Sequence, residues 1–277
     1  MQKKGTLYVV SLPIGNLKDI TLRALEILKN IKFIACEDTR SLKKILNYYQ
    51  CGPKKLISLY KDVEKKKSER IIELLKKGTD IALVSEAGTP GISDPGAYLI
   101  NLAYKNKIKI EPIPGPSALT CALSVSGIIL DKGFIFLGFL PKKKEEQKKI
   151  LCNLPDDLPI ILFIPPHQMK KTLKTLSKIL GKRKCFLARE LTKLHEELLW
   201  TDLEELEKRE NFLGEITLII LPEKTLDKEK EINLDIIKKE AQKLKSKGIG
   251  TKELTKILSK KFDLPVKEIY KYLLKIN

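Results

Sequence analysis

The first 140 residues alternate between short apolar runs and segments of helical periodicity. Leu22, Leu25 and Leu28 recur at the spacing of one helix face, and Asp19 or Thr21 is a candidate N-cap for that helix. Further helices are predicted over residues 41–49 and 69–77, and strands over residues 7–11, 33–36, 81–85, 108–112 and 134–140. Such alternation of strands and helices is typical of an α/β fold with a parallel sheet.

The second half of the chain repeats this alternation after a charged stretch at residues 142–149, which indicates a domain boundary. A helix is predicted over residues 168–180, and strands are predicted over residues 160–164, 185–188 and 216–221. The sequence therefore predicts four parts: an N-terminal α/β domain, 1–140; a C-terminal α/β domain, 141–222; a polar linker, 223–233; and a basic helical module, 234–277.

The helical module contains the apolar positions Leu234, Ile237 and Ala241, which share one helix face. The glycines around residue 249 interrupt this helix, and two more helices are predicted over residues 251–261 and 266–276, in a helix-turn-helix-like arrangement. The module has twelve lysines and five acidic residues. It is either a surface for RNA phosphates or a bundle whose lysines face solvent.

The whole chain of 277 residues has a net charge of +18, which favours a polyanionic partner such as nucleic acid. Only six of the 53 basic residues are arginines, so a codon bias toward lysine explains the charge equally well. The five cysteines are odd in number and form no CxxC pair, which favours a reducing cytoplasm over a disulfide framework or a zinc site. No leader or membrane span is predicted.

Four loops that follow predicted strands have unusual compositions: residues 11–16, 36–40, 85–96 and 113–118. Ligands bind outside the carboxyl ends of the strands in open parallel sheets. Glycine allows a close approach of the backbone to a ligand, and proline holds a loop rigid. The loops match neither the phosphate-binding pattern GxxxxGK[ST] nor the dinucleotide-binding pattern GxGxxG. Their carbonyl groups and small side chains, without basic residues, favour a cationic or neutral adenosine-type ligand. The alternative is a set of rigid connections without a ligand.

Six segments, in chain order, carry a resemblance to one family: VVSLPIGNLKDITLRA (9–24), ACEDTR (35–40), SEAGTPGISDPG (85–96), PIPGPSALTCALSVSG (112–127), LGFLPKKKEEQKK (137–149) and ARELTKLHEE (188–197). They resemble the ribosomal small-subunit RNA cytidine-2′-O-methyltransferases, a branch of the tetrapyrrole-methylase fold. The resemblance implies two α/β domains with a cofactor cleft between them. It also implies S-adenosyl-L-methionine as cofactor, a homodimer, and a cytidine ribose in the decoding centre of small-subunit (16S) ribosomal RNA, free or in the 30S subunit, as substrate.

The chain departs from the family pattern at three places. Glu86 stands where the family usually has aspartate, residues 61–64 replace a His-Asn-Glu run, and residues 164–168 replace a Glu-Ser-x-His-Arg run. A role that depends on those side chains does not transfer to this chain.

Cofactor-binding residues are predicted in the strand-end loops of the first half, and the resemblance adds three from the second half. The predicted set is Pro13, Ile14, Gly15, Gly88, Thr89, Gly91, Ile92, Ser117 and Ala118, with Ala188, Glu215 and Ile216 by resemblance. Ile92 and Ile216 are equally consistent with plain core positions.

Catalytic roles are predicted for Glu37, Asp38, Arg40 and Asp94, because carboxylates and a guanidinium at strand ends suit ribose orientation and proton removal. The alternative for Asp38 and Arg40 is an internal salt bridge beside a helix cap, and for Asp94 a turn that bonds its own backbone.

RNA contacts are predicted for Arg189, Lys193 and His195, and no metal is required. Two other functions remain open: methylation of a small tetrapyrrole by the same fold, and RNA binding without catalysis. Tetrapyrrole enzymes of this fold usually carry GxGxGD in the first loop and lack a basic tail, and a pure binding protein has no use for four shaped loops.

Overall fold

The computed structural model describes residues 3–60, 63–209, 213–222, 234–246 and 249–262, together with Val266, Ile269, Tyr270 and Leu273. The chain forms two compact units, Met1–Pro222 and Glu223–Asn277. The predicted linker, 223–233, lies outside the described residues. Within the described ranges, none of the helices combines the length and apolar character that crossing a bilayer requires.

The first half of the larger unit is a parallel sheet of five strands with helices between them, as the hydrophobic pattern predicts. The strand order is β3-β2-β4-β1-β5. The elements are β1 (Thr6–Val10), α1 (Leu22–Asn30), β2 (Phe33–Cys36), α2 (Thr39–Tyr48), β3 (Lys55–Ser58), α3 (Glu64–Lys76), β4 (Ile81–Val84), α4 (Ala97–Lys105), β5 (Lys109–Ile113) and α5 (Ala118–Ser126).

Helices cover both faces of this sheet, as the burial of the central strand β4 shows. All four of its residues are buried. Ala82 and Val84 pack in a core with α1 and α2, and Ile81 and Leu83 pack in a second core with α3 and α4. A continuous apolar run is expected for a parallel strand that is covered on both faces.

The second half is a mixed sheet in the order β6-β7-β10-β8-β9. Strands β6 and β7 are parallel, whereas β10 runs antiparallel to both of its neighbours and β9 runs antiparallel to β8. The elements are β6 (Ile135–Phe139), α6 (Lys144–Cys152), β7 (Ile160–Ile164), α7 (Met169–Leu180), β8 (Lys184–Arg189), β9 (Glu197–Asp202), α8 (Leu203–Lys208) and β10 (Ile216–Ile220).

The pairing of β6 corrects the predicted domain boundary. The sequence analysis placed this strand in the N-terminal domain, 1–140, but β6 pairs with β7 and belongs to the second sheet. The charged stretch that suggested the boundary forms α6, which follows the first strand of the second sheet. Two strands, β3 and β9, were not predicted from the hydrophobic pattern.

The two halves meet through an apolar cluster on one face of the second sheet. Ile14, from the loop after β1, and Ala122, from α5, pack there against Phe186 and Ala188 of β8 and Ile219 of β10. This contact places the carboxyl ends of the parallel strands opposite the second sheet.

The smaller unit contains α9 (Leu234–Lys245) and α10 (Thr251–Phe262). Its described apolar core consists of Ile237, Ala241, Leu254, Leu258, Ile269 and Leu273. Of the third predicted helix, 266–276, the structure describes Val266, Ile269, Tyr270 and Leu273 as helical, and the remainder lies outside the described residues, as does the turn at 263–265.

Candidate active site

A cleft of about 770 Å³ lies between the two halves of the larger unit. It is lined by the loops after β1, β2 and β4, the start of α5, the segment after β7, and residues next to β8 and β10. Of the twelve predicted cofactor residues, eleven line this cleft: Pro13, Ile14, Gly15, Gly88, Thr89, Ile92, Ser117, Ala118, Ala188, Glu215 and Ile216.

The first wall is built around Gly88. Its backbone exchanges two hydrogen bonds with Leu12, N–H to carbonyl at 2.8 and 3.0 Å, and joins the loops after β1 and β4. Gly88 has φ +73°, and an added Cβ would lie 3.3 Å from Ile14 Cγ2. The Thr89 hydroxyl donates to the Pro116 carbonyl at 3.1 Å and ties the third loop to the other two. The positive φ of residue 88 favours glycine, and a Cβ there would also be in tight contact with Ile14.

Gly91 is the predicted cofactor residue that the structure does not place on the cleft. It has φ +80°, and an added Cβ would meet no atom within 4 Å. This glycine therefore serves the turn rather than a close approach to the cleft.

The second wall approaches the first at Gly15. A Cβ on Gly15 would lie 2.9 Å from the Leu191 carbonyl oxygen, and the Asn16 amide donates to the Thr192 hydroxyl at 3.0 Å. The loop after β8 is held in shape by Glu190, whose carboxylate accepts from the Glu215 amide at 2.7 Å. The two halves are thus connected at the rim of the cleft.

Three carboxyl groups, those of Glu37, Glu86 and Asp94, line the cleft. Burial, assisted by the charges of Glu37 and Glu86, raises the pKa of Asp94 to about 6. Burial, assisted by Glu86 and Asp38, also raises the pKa of Glu37. Asp94 therefore exchanges its proton near neutral pH, which suits an acid–base role.

Asp38 and Arg40 were predicted as catalytic residues, but neither lines the cleft. Asp38 is the N-cap of α2: its carboxylate accepts from the Arg40 amide at 2.7 Å and from the Ser41 hydroxyl at 3.3 Å. The bond from the Arg40 amide is the main reason that the pKa of Asp38 is lowered. These contacts give Asp38 a structural role in starting α2, and Arg40 is exposed.

The three predicted RNA contacts have different surroundings. Arg189 donates from Nε to Glu197 and from Nη1 to the Leu213 carbonyl, both at 2.9 Å. Lys193 lines the cleft and pairs with two glutamates, Glu190 and Glu215, at 2.9 Å each. Burial alone would lower the pKa of Lys193, but these two hydrogen bonds outweigh it and raise the pKa. His195 is exposed and does not line the cleft.

The segment after β7 was not among the predicted site residues. Pro165, Pro166 and His167 line the cleft, together with Phe163 near the end of β7, whose ring packs against Phe139 at 5.6 Å between centroids and a tilt of 57°. The signal that could have identified this segment is its position after a strand. In the described part of the chain, no group of three or more His, Cys, Asp or Glu side chains is arranged to hold a metal ion.

Comparisons with known proteins agree with this architecture. Residues 6–207 match the family model of the tetrapyrrole (corrin/porphyrin) methylases. The chain is similar to ribosomal RNA small subunit methyltransferase I of Hydrogenobaculum sp. strain Y04AAS1, with 46% identity over 80% of this chain and 98% of that protein. The protein of the same name from Bacillus subtilis strain 168 is 37% identical over 96% of this chain and 93% of its own length.

A solved structure shows the same fold at low identity. It is uroporphyrin-III C-methyltransferase from Thermus thermophilus complexed with S-adenosylhomocysteine, with a TM-score of 0.55, 14% identity, and coverage of 78% of this chain and 97% of that chain. By its matched domain and its close relatives, the chain belongs to the tetrapyrrole methylase family, in the branch of the ribosomal RNA small subunit methyltransferases I.

Proposed function

We propose that this protein is an S-adenosyl-L-methionine-dependent methyltransferase that modifies a cytidine ribose 2′-oxygen in the decoding centre of small-subunit ribosomal RNA. The observation that carries the proposal is the glycine-shaped cleft in a chain that shares more than a third of its residues with full-length rRNA methyltransferases. The tetrapyrrole methyltransferase shares only the fold, at 14% identity, which favours RNA over a small tetrapyrrole as substrate.

The cleft fits the methyl donor in shape and chemistry. Ile92, Ala118 and Ile216 offer apolar surface for an adenine ring, and Gly88 leaves the space that a Cβ would fill. The carboxylates near Asp94 suit a positively charged ligand. When bound, the donor supplies an electrophilic methyl group.

The residues of the chain contribute positioning and proton removal. The linked loops at Leu12, Gly88 and Pro116 fix the wall against which the donor lies, so that a ribose oxygen is held in line with the methyl carbon. Asp94 lines the same cleft and exchanges its proton near neutral pH, so it accepts the proton of the 2′-hydroxyl, and the neighbouring Glu37 supports that role through its charge.

Labelled methyl donor tests this function directly. The purified protein is incubated with unmodified 30S subunits, with free 16S rRNA and with a reduced tetrapyrrole, and the label is mapped by nuclease digestion. We expect label on a cytidine ribose. Label on a base, or transfer to the tetrapyrrole alone, would remove the proposal.

The exposed loop after β8 and the smaller unit are proposed to contact RNA phosphates. His195 and Leu194 are exposed in that loop, with Arg189 and Lys193 beside them. In α10, Lys252, Lys256 and Lys260 are exposed. Changing these three lysines to glutamine is expected to lower RNA affinity without changing donor affinity. The slope of log affinity against log salt concentration should become less steep by up to about three, because up to three fewer counterions are released on binding. An unchanged salt slope in filter-binding assays would show that these lysines are only solvated.

We also propose a location in the cytoplasm, because all five cysteines are free, as expected in a reducing compartment.

We propose further that the protein forms a homodimer through strand β9. This edge strand exposes Leu198 and Trp200, whose cross-strand neighbours Ala188 and Phe186 belong to the apolar cluster between the two halves. Contiguous exposed apolar surface marks protein interfaces, and Leu198 and Trp200 lie two residues apart on one face of β9.

Leu198→Asp is expected to convert the dimer to a monomer, because it places a charge on this exposed apolar edge. Light scattering after size-exclusion chromatography measures the mass. Tyr104→Asp, at a position that is 67% exposed on α4, is the matched control and is expected to stay dimeric. A Leu198→Asp protein that remains dimeric would place the interface elsewhere.

A further inference from the structure

The three carboxylates of the cleft come together because of the strand order. Strands β2 and β4 are parallel neighbours, and Ala35 is paired with Leu83. Glu37 and Glu86 therefore emerge beside each other from adjacent strand ends. The Ser41 hydroxyl, in α2, lies 3.3 Å from Glu86 Oε1 and connects the two loops. Asp94 belongs to the loop that continues from Glu86.

Four carboxylates line the cleft, and three of them have no basic partner among the described residues. Among the residues that the structure describes, no lysine, arginine or histidine forms a salt bridge with Glu37, Glu86 or Asp94. Glu215, in contrast, pairs with Lys193 at 2.9 Å. The protein has a net charge of +18, so three uncompensated carboxylates in its main cleft are a local exception.

Grouped carboxylates repel each other, and a bound cation relieves that repulsion. Burial is the main cause of the raised pKa values of Glu37 and Asp94, and this repulsion adds to it. A ligand of the same shape without the sulfonium lacks that part of the attraction, even if both ligands carry the same α-ammonium and carboxylate. The cleft therefore distinguishes ligands by charge as well as by shape.

We propose that Glu37, Glu86 and Asp94 make the cleft prefer the cationic methyl donor over the neutral product, so that loss of the ligand's charge promotes product release. This inference rests on the proposed function. In the transfer, the carbon–sulfur bond breaks, sulfur keeps the electron pair, and a carbon–oxygen bond forms at the ribose. The bound sulfonium becomes a neutral thioether, while the hydroxyl proton passes to a cleft carboxylate. The ligand thereby loses its sulfonium charge, and only the α-ammonium and carboxylate that donor and product share remain.

Calorimetric titration of the full chain at pH 8, where Asp94 is ionised, tests this selectivity. The ligands are S-adenosylmethionine, the neutral S-adenosylhomocysteine, and sinefungin, which carries an ammonium group in place of the sulfonium. The wild-type protein is expected to bind both cations more tightly than the neutral product. Glu86→Gln is expected to weaken both cations about fivefold and to leave the neutral product within about twofold, since one nearby charge is removed.

Glu69→Gln is the matched control, because Glu69 is an exposed glutamate of α3 outside the cleft, and no change is expected. Glu37→Gln repeats the test at a second position, and circular dichroism verifies the fold of each variant. The effect of Glu86→Gln should shrink in 1 M salt. Equal wild-type affinity for donor and product would contradict this inference and leave the proposed function in place. An equal loss of affinity for all three ligands in Glu86→Gln would do the same. Absence of binding by all three would overturn the proposed function as well.

Discussion

Replacing Gly88 with valine is expected to abolish binding of the methyl donor, with a loss of affinity greater than about 100-fold. The residue has φ +73°, a conformation that costs a residue with a Cβ about 1–2 kcal/mol. The new Cβ would lie 3.3 Å from Ile14 Cγ2 and 3.6 Å from the Pro116 carbonyl oxygen, so the branched side chain must occupy cleft volume or separate the loops. Calorimetric titration with the donor measures the effect.

Gly91→Val is the control for this substitution. Gly91 has a similar positive φ, +80°, in the same loop, but an added Cβ meets no atom within 4 Å and the residue does not line the cleft. Valine at 91 therefore imposes the backbone strain without filling the cleft, and donor binding should persist. If the Gly88→Val protein is folded and binds the donor normally, Gly88 does not form the wall of the donor site.

Asp94→Asn is expected to slow methyl transfer by about 10²–10⁴-fold, the usual contribution of a general base. Donor affinity should fall by no more than about tenfold, because only one of three carboxylates is lost. The wild-type rate should rise with pH through about 6 as Asp94 ionises, and the variant should lack that rise. Single-turnover rates on unmodified 30S subunits, measured from pH 5 to 8, separate transfer from binding.

The same substitution is expected to stabilise the folded protein. The pKa of Asp94 is about 6 in the folded state against 3.8 for an unperturbed aspartate, so the folded state holds this proton more tightly than the unfolded chain does. The contribution of Asp94 to the free energy of unfolding therefore decreases as pH rises from about 4 to about 6 and stays lower above that. Removing the charge of Asp94 should raise the free energy of unfolding by about 1–2 kcal/mol at pH 7.5; this value already includes a reduction for solvent screening.

Asp131→Asn, at an exposed position outside the cleft, controls for loss of an aspartate elsewhere. Full activity of the Asp94→Asn protein across this pH range would show that the proton goes to another group. A decrease in its free energy of unfolding at pH 7.5 would show that ionised Asp94 has a stabilising partner.

Four strands of the first sheet could be predicted from the sequence because each is short, largely apolar and separated from the next by a helix or turn. The edge strand β3, Lys55–Ser58, was not predicted, because none of its four residues is fully buried. Strand β4, Ile81–Val84, is the clearest case, since burial on both faces leaves a run of apolar residues. The place of β10 could not be predicted. It is inserted between β7 and β8, antiparallel to both, and this pairing joins segments distant in sequence.

Strand β9 escaped prediction for a different reason. It lies at the sheet edge, where Leu198 and Trp200 are 43% and 46% exposed, so its pattern is neither a buried run nor a clear alternation of apolar and polar residues. At the site, the sequence alone leaves two roles open for Asp38. A carboxylate directly after a strand suits either a ligand or the first turn of the next helix, and only the hydrogen bond from the Arg40 amide distinguishes the two.

The central claim is that the methyl donor binds in the cleft between the two halves of the larger unit, and a crystal structure of the full chain with S-adenosylhomocysteine tests it most directly. We expect the nucleoside to lie between the wall formed by Ile14 and Gly88 and the face formed by Ala188 and Ile216, with its sulfur toward Asp94. A well-ordered ligand bound at any other place on the protein would contradict this claim.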